Sequence, residues 1–337
     1  MAPKARGLLA LGALGALGLG ASRFAGIRRQ VKRAAPGLGV PTAYVPLTVS
    51  SATLPLLRRG MPALLPASAT AARPVDIPTD AGARGGFLYE PASGSPRGAL
   101  LWIHGGGRVM GSPAQDHELC QRLADDASVR VLSTSYRMAP EHPFPAALDD
   151  CAAALTWLVA HCAEAGVPAV VAVGGASAGG GLAAELAQWA LDHDVPVDFQ
   201  LLLYPMLDDR TLDHGAGDRG HLVWTPQANR FGWSAYLGHP AGQAENRPYA
   251  VASRRADLTG LPPAWIGVGD LDLFYEEDCA YAERLRAAGV PVELHVEKGM
   301  YHGADAIPGT SETDAVRGIR GSMAHALAAA FTASTPA

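Results

Sequence analysis

Ser177 stands at the centre of Gly175-Ala176-Ser177-Ala178-Gly179, inside the uncharged run GGASAGGG of residues 174–181. The run follows the strand-like PAVVAV and precedes a segment in which Leu182, Leu186, Trp189 and Ala190 recur at i, i+4, i+7 and i+8, one apolar face of a helix. A serine on a tight strand-to-helix turn presents its hydroxyl outward, the setting of a nucleophile elbow. Glycines at 175 and 179 relieve the crowding of such a turn. A phosphate loop is the competing interpretation, but no Lys followed by Ser or Thr is present and no G-x-G-x-x-G begins here. Short Gly/Ser patterns also arise by chance, so the nucleophile needs a base and an anion-stabilising site from elsewhere in the chain.

The stretch WIHGGGRVMG, residues 102–111, supplies the second of these. His104-Gly105-Gly106-Gly107 follows a predicted strand, and glycines at a strand's carboxyl end let bare backbone N–H groups approach a substrate oxygen. With the N–H of Ala178 they would stabilise an anion developing on a carbonyl oxygen, roughly 3–4 kcal/mol per donor. His104 precedes that hole and reads as an organiser of the loop rather than as the base. A base and its acid are expected later in the chain. VGDLDL places Asp270 and Asp272 just beyond a strand, and EKGMYHG places His302 in the loop after the next. Two residues apart in extended chain, both aspartates point the same way, so spacing does not choose between them. His295, inside a strand, and His142, among prolines, read as structural.

The elements that must position these groups alternate regularly after about residue 85. Strand candidates are 99–104, 129–136, 168–174, 199–205, 263–269 and 292–297, and helical patterns lie near 115–127, 145–165, 178–193, 276–288 and 312–331. Such alternation predicts an α/β fold, a mostly parallel central sheet with helices on both faces. Ligands then bind at the carboxyl ends of the strands. Residues 206–262 break the rhythm without an obvious strand; their Trp224, Phe231, Trp233, Tyr236 and Tyr249 predict a small core of their own, a lid lining an apolar pocket, or both. With 48% hydrophobic and 18% charged residues in 337, the bulk of the chain belongs with soluble globular proteins. Cys120, Cys151, Cys162 and Cys279 form no C-x-x-C pair and no cluster with histidines, which argues against a zinc or iron–sulfur site. Cys151 and Cys162 fall on one helix roughly 16 Å apart, too far to bridge, and free thiols are expected.

Charge is distributed unevenly. Ten Lys or Arg and no Asp or Glu fall in residues 1–75, so the front carries +10 and the remainder −15 of a net charge of −5. Residues 7–21 are uncharged and rich in Leu, Ala and Gly, shorter than the ~20 residues needed to span a bilayer. Arg23, Arg28, Arg29, Lys32 and Arg33 follow them, which opposes export. An interfacial or cap helix, a signal or transit segment and a spanning anchor are the alternatives for this segment. A cytoplasmic or membrane-associated location is expected ahead of a secreted one.

Taken together, HGGG, YRMAPEHPFPAALDD (136–150), GASAGG and GDLDL…YHG resemble the hormone-sensitive-lipase family of α/β-hydrolases, the bacterial family IV esterases, over residues 85 to 330. The resemblance implies an α/β-hydrolase fold and a cap over the pocket built from N-terminal helices and an insertion. The expected division is a basic, apolar segment 1–33, an N-terminal cap region 34–84, and a catalytic domain 85–335 carrying the insertion at about 206–262. It also puts the family's aspartate on Asp272. The expected activity is that of a serine carboxylesterase on short-to-medium acyl esters, with Ser177 as nucleophile, His302 as base and Asp272 as its orienting acid. Gly106, Gly107 and Ala178 would bind the oxyanion and Gly105 would shape the turn, with no metal or organic cofactor. The partner expected is a small-molecule ester and not nucleic acid; membrane-surface contact through residues 1–33 and a homodimer stand beside it as further expectations. Alternatives are a membrane-surface lipid or acetyl-ester hydrolase, and a non-catalytic receptor of the kind in which the histidine is lost, which the presence of Ser177, Asp272 and His302 opposes. Two departures from the family pattern are Ala176, where the family writes aspartate, and Arg108, where an aromatic often follows HGGG and where the change could alter the acyl or the alcohol pocket.

Overall fold

The computed structural model describes residues 21–41, 48–64, 72–211 and 218–333. Its strands are Arg73–Ile77 (β1), Arg84–Tyr89 (β2), Ala99–Ile103 (β3), Arg130–Thr134 (β4), Val171–Ala176 (β5), Phe199–Leu203 (β6), Ala264–Gly269 (β7) and Val292–Glu297 (β8). Its helices are Ala21–Arg33 (α1), Leu54–Leu64 (α2), His117–Ala127 (α3), Ala146–Glu164 (α4), Ala178–Asp192 (α5), Pro226–Leu237 (α6), Tyr275–Ala287 (α7) and Asp314–Ala333 (α8). The strands form one sheet in the order β1-β2-β4-β3-β5-β6-β7-β8, in which β1, β2 and β4 pair antiparallel and the rest parallel.

Strands β3, β4, β5, β6 and β7 are buried at every residue, as a sheet covered on both faces requires. Their side chains alternate between two cores. Leu101, Ile103, Val173, Leu202 and Ile266 face α4, α5 and α7 through Leu155, Leu158, Leu182, Leu186 and Leu285. Leu100, Trp102, Leu201, Leu203 and Trp265 face α3 and α8 through Leu123, Ile319, Met323, Leu327 and Phe331. Every residue of α5 from Ala178 to Gln188 is buried, which makes this helix the axis of the first core.

The chain runs from β3 outward to β4 by way of α3, then returns through α4 to β5 on the other side of β3. That reversal is a topological switch point at the carboxyl ends of β3 and β5, the place where open α/β sheets bind their ligands. The HGGG segment leaves one strand there and Ser177 leaves the other.

Two strands were not anticipated from sequence. β1 and β2 extend the sheet from Arg73, ahead of the boundary expected at residue 85; β1 is the edge strand and β2 lies between it and β4, and both are unevenly exposed. Within the 206–262 stretch, Thr225 accepts the N–H of Ala228 at 3.2 Å, Pro226 opens α6, and Gly238 closes it in the left-handed region at φ 76°. Trp224, Trp233 and Tyr236 are buried with the residues of the first core rather than in a core of their own. Cys120, Cys151, Cys162 and Cys279 are free thiols, and Cys151 and Cys162 share α4. Among the described residues no helix is long and apolar enough to cross a membrane. The apolar run 7–21, apart from its last residue, lies outside them.

Candidate active site

Ser177 caps α5 at φ 58° and ψ −120°, a backbone conformation that a side chain rarely adopts. Both sides of the turn are tied: the Ser177 N–H donates to the Leu203 carbonyl at 2.8 Å, and the Ser177 carbonyl accepts from Met206 and Gly181 at 2.9 Å. Gly179 is compulsory, since a Cβ there would fall 2.0 Å from the Ile103 carbonyl oxygen. The serine side chain is thereby raised out of the sheet at the end of β5. Ala176 is buried in the second core and gives that end of the strand no charge.

His302 reaches Ser177 from the loop after β8, Nε2 to Oγ at 2.8 Å. Its Nδ1 lies 2.9 and 3.0 Å from the two oxygens of Asp272, which is wholly buried and also accepts the N–H of Phe274 at 2.9 Å. Asp270 has a different partner: its Oδ1 accepts the Gly299 N–H at 2.6 Å and so ties the loop after β7 to the turn that carries His302. Between the two aspartates that sequence spacing left equal, the geometry brings Asp272 to the histidine.

The HGGG segment lies alongside. Gly106, Gly107 and Arg108 all have positive φ, at 125°, 63° and 64°. The Gly106 carbonyl accepts from Val109 and Met110, while among the described residues the N–H groups of Gly106 and Gly107 have neither backbone nor side-chain acceptors. Ala178 opens α5, whose first N–H groups are without partners inside the helix. A wall is supplied by Trp224, whose ring would sit 2.1 Å from a Cβ placed on Gly107. His104 is engaged elsewhere than at Ser177. It is buried, its Nδ1 lies 2.8 Å from the Gly105 carbonyl, its ring stacks on Tyr136 at 4.4 Å, and the Tyr136 hydroxyl donates to its carbonyl at 3.0 Å. Burial pushes its pKa down to about 4 against the raising influence of the Gly105 carbonyl.

A hydroxyl, imidazole and carboxylate in a hydrogen-bonded line beside unpaired backbone donors suit acyl transfer. Residues 100–306 match the family of the alpha/beta hydrolase fold. The chain belongs to that family. This hydrolase is 37% identical to esterase LipI of Mycobacterium tuberculosis over 255 residues, covering 71% of this chain and 78% of LipI. It superposes on the crystal structure of esterase LipW from Mycobacterium marinum with a TM-score of 0.80 at 34% identity, covering 89% of this chain and 97% of LipW. A bacterial heroin esterase gives 0.81 at 32% identity, covering 89% and 99%. The protein is a carboxylic ester hydrolase of the α/β-hydrolase superfamily.

Several parts of the hydrolase's site escaped sequence reasoning. His302 is flanked by Tyr204 and Phe274, edge-on at 4.8 and 4.9 Å, and Trp224, one of the aromatics read from sequence as a possible pocket wall, comes to 6.4 Å. Tyr204 is itself anchored by its hydroxyl to Asp305 at 2.7 Å. Glu277 accepts from the N–H groups of Leu207 and Asp208 and pins the start of the insertion to α7. Isolated aromatics and an acid in a helix's first turn carry no local sign of such roles. The Arg108 side chain is wholly buried against Glu185, Trp233 and Tyr236. Among the described residues no group of three or more His, Cys, Asp or Glu is placed to hold a metal ion.

Two outcomes follow from these contacts. Asp272→Asn should lower kcat by on the order of 10⁴, because the amide no longer holds the same imidazole tautomer. Asp270→Asn should stay within about tenfold of the parent, and steady-state hydrolysis of a p-nitrophenyl ester compares them. For His104 the folded pKa lies below the unfolded value, so its contribution to stability is present above about 6.5 and is lost as the pH falls toward 4. Between pH 7 and 4.5, urea unfolding should show the parent losing about 2–3 kcal/mol more than His104→Gln.

Proposed function

We propose that this hydrolase is a serine carboxylesterase acting on short-to-medium acyl esters through an acyl-enzyme. The observation that carries the proposal is the continuous line from Ser177 Oγ through the His302 ring to Asp272, set beside the unpaired N–H groups of Gly106 and Gly107. Ser177 Oγ attacks the ester carbonyl while His302 Nε2 takes its proton. The carbonyl oxygen becomes an anion received by Gly106, Gly107 and Ala178 N–H. Collapse of the tetrahedral intermediate expels the alcohol, to which His302 returns the proton. Water then repeats the sequence on the acyl-serine, with His302 as base, and releases the carboxylic acid. Asp272 fixes the ring orientation and stabilises the imidazolium in both halves. The Trp224 ring against Gly107 and a serine only 7% exposed favour small acyl groups.

A second reading is favoured by α1. Ile27 and Gln30 are buried, while Arg28, Arg29, Lys32 and Arg33 are exposed. Gln30 donates to the Leu271 carbonyl at 2.5 Å and accepts from His221 at 2.9 Å, so this basic helix adjoins the loop that carries Asp272. We propose that its cationic side, together with the basic, apolar residues before it, brings the site to an anionic membrane surface.

Ser177→Ala should abolish hydrolysis across a series of p-nitrophenyl acyl esters while leaving the circular dichroism spectrum unchanged, and the parent's rates should fall for long chains. Undiminished turnover would sink the nucleophile assignment. For the membrane reading, the full chain should sediment with phosphatidylserine vesicles at low salt and not with phosphatidylcholine vesicles. Equal sedimentation by a variant with Arg28, Arg29, Lys32 and Arg33 changed to Gln would remove α1's part in it.

A further inference from the structure

The side chain directly after HGGG has a place in the fold that the proposed chemistry does not use. Arg108 and Glu185 have wholly buried side chains and meet as a two-pronged pair, with N to O distances of 2.8 and 2.9 Å. The Tyr236 hydroxyl donates to the same carboxylate at 3.1 Å, and the guanidinium also donates to the Met206 carbonyl at 3.3 Å. It is held between rings, 4.3 Å from the centroid of Trp233 and 4.0 Å from that of Tyr236. The Arg108 carbonyl accepts the Ala139 N–H at 3.0 Å, so its main chain and side chain are both fixed.

This pair joins the parts that must stay in register. Arg108 ends the three-residue run of positive φ that contains Gly106 and Gly107. Glu185 lies on α5, the helix that Ser177 caps, and Met206, whose carbonyl the guanidinium reaches, donates its own N–H to the Ser177 carbonyl. Trp233 and Tyr236 belong to α6 of the insertion. A buried ion pair is a poor source of stability, because desolvating both charges offsets much of their attraction, and apolar pairs of similar volume often serve as well. The fork fixes direction, since a planar guanidinium donates to both oxygens of a carboxylate in few orientations. The glycines before it, with no Cβ, have the widest range of alternative backbone conformations.

We propose that Arg108 is a positioning residue for the oxyanion donors: its pair with Glu185 clamps the Gly106-Gly107 turn to the nucleophile's helix, holding both N–H groups toward the carbonyl carried by Ser177. The inference rests on the reading of Ser177 as nucleophile and of Gly106 and Gly107 as donors. Glu185 and the two rings act through Arg108, and none of these side chains needs to touch the ester.

The test compares the parent with Arg108→Met/Glu185→Leu, an apolar replacement that leaves no charge unpaired, and with Arg108→Lys, which keeps the charge and loses the fork. Urea midpoints report folding, p-nitrophenyl butyrate gives kcat and KM, and a trifluoromethyl ketone, which becomes an oxyanion when serine adds to it, reports the donors. Losing one oxyanion donor costs about 10²–10³ in kcat. The double variant should keep a midpoint near the parent's and a KM within about threefold, while kcat and ketone affinity fall together by about 10²-fold. Arg108→Lys should lose about tenfold in both and carries the test if the double variant does not fold. A kcat within threefold of the parent in a folded variant, or a lower kcat with unchanged ketone affinity, overturns the proposal. Failure of the underlying reading is distinct, because a parent that neither binds the ketone nor loses activity in Ser177→Ala lacks the assumed nucleophile.

Discussion

The close approach of α5 to the end of β3 is the constraint from which the site follows. With hydrogen alone on the Gly179 Cα, the helix settles against the Ile103 carbonyl, where a Cβ would fall 2.0 Å from the oxygen. The strand that feeds this helix must then turn sharply, and Ser177 takes the positive φ that the turn demands. Because β3 is the strand approached, its HGGG continuation lies next to the serine. The sheet's order reverses between β3 and β5, and both segments leave it there. The backbone packing of α5 on β3 therefore makes the proposed donors and the proposed nucleophile neighbours. The histidine and its acid arrive later, from the loops after β8 and β7.

Ser177, the HGGG glycines and His302, which the geometry brings together, could be singled out in sequence because each sits in a local pattern, a strand followed by small residues or a loop. The proposed acid could be narrowed only to a pair. Asp270 and Asp272 share a side of extended chain, and what separates them is where Gly299 and His302 come to rest after folding. The core strands could be read from continuous apolar runs, whereas β1 and β2 could not, since RPVDI and RGGFLY, each partly exposed, contain no such run. Arg108 shows the limit most clearly. A charge beside a catalytic loop invites placement in the pocket, but its partner lies 77 residues away on a helix, and nothing near position 108 announces it. The contacts of Tyr204 and Phe274 with His302 were invisible for the same reason.

Stability and chemistry use different parts of one scaffold. The two cores are made of aliphatic and aromatic side chains on alternate faces of the same strands. The polar residues cluster where strands end: His104 keeps its ring on Tyr136 and Gly105, Tyr204 is held by Asp305, and Glu277 collects two N–H groups at the start of the insertion. Each satisfies main-chain or side-chain groups that the irregular backbone of a loop would otherwise leave buried and unpaired.

Gln30 uses both ends of its amide, one on the residue before Asp272 and the other on His221 of the insertion. The seating of α1 and the arrangement of those two loops are therefore linked equilibria. Whatever holds the helix down favours the loops as they stand. Linkage runs equally in reverse, so a ligand that binds preferentially to that loop arrangement strengthens the helix's attachment by the same factor. The front of the chain and the site would then report on each other's occupancy without any change of fold.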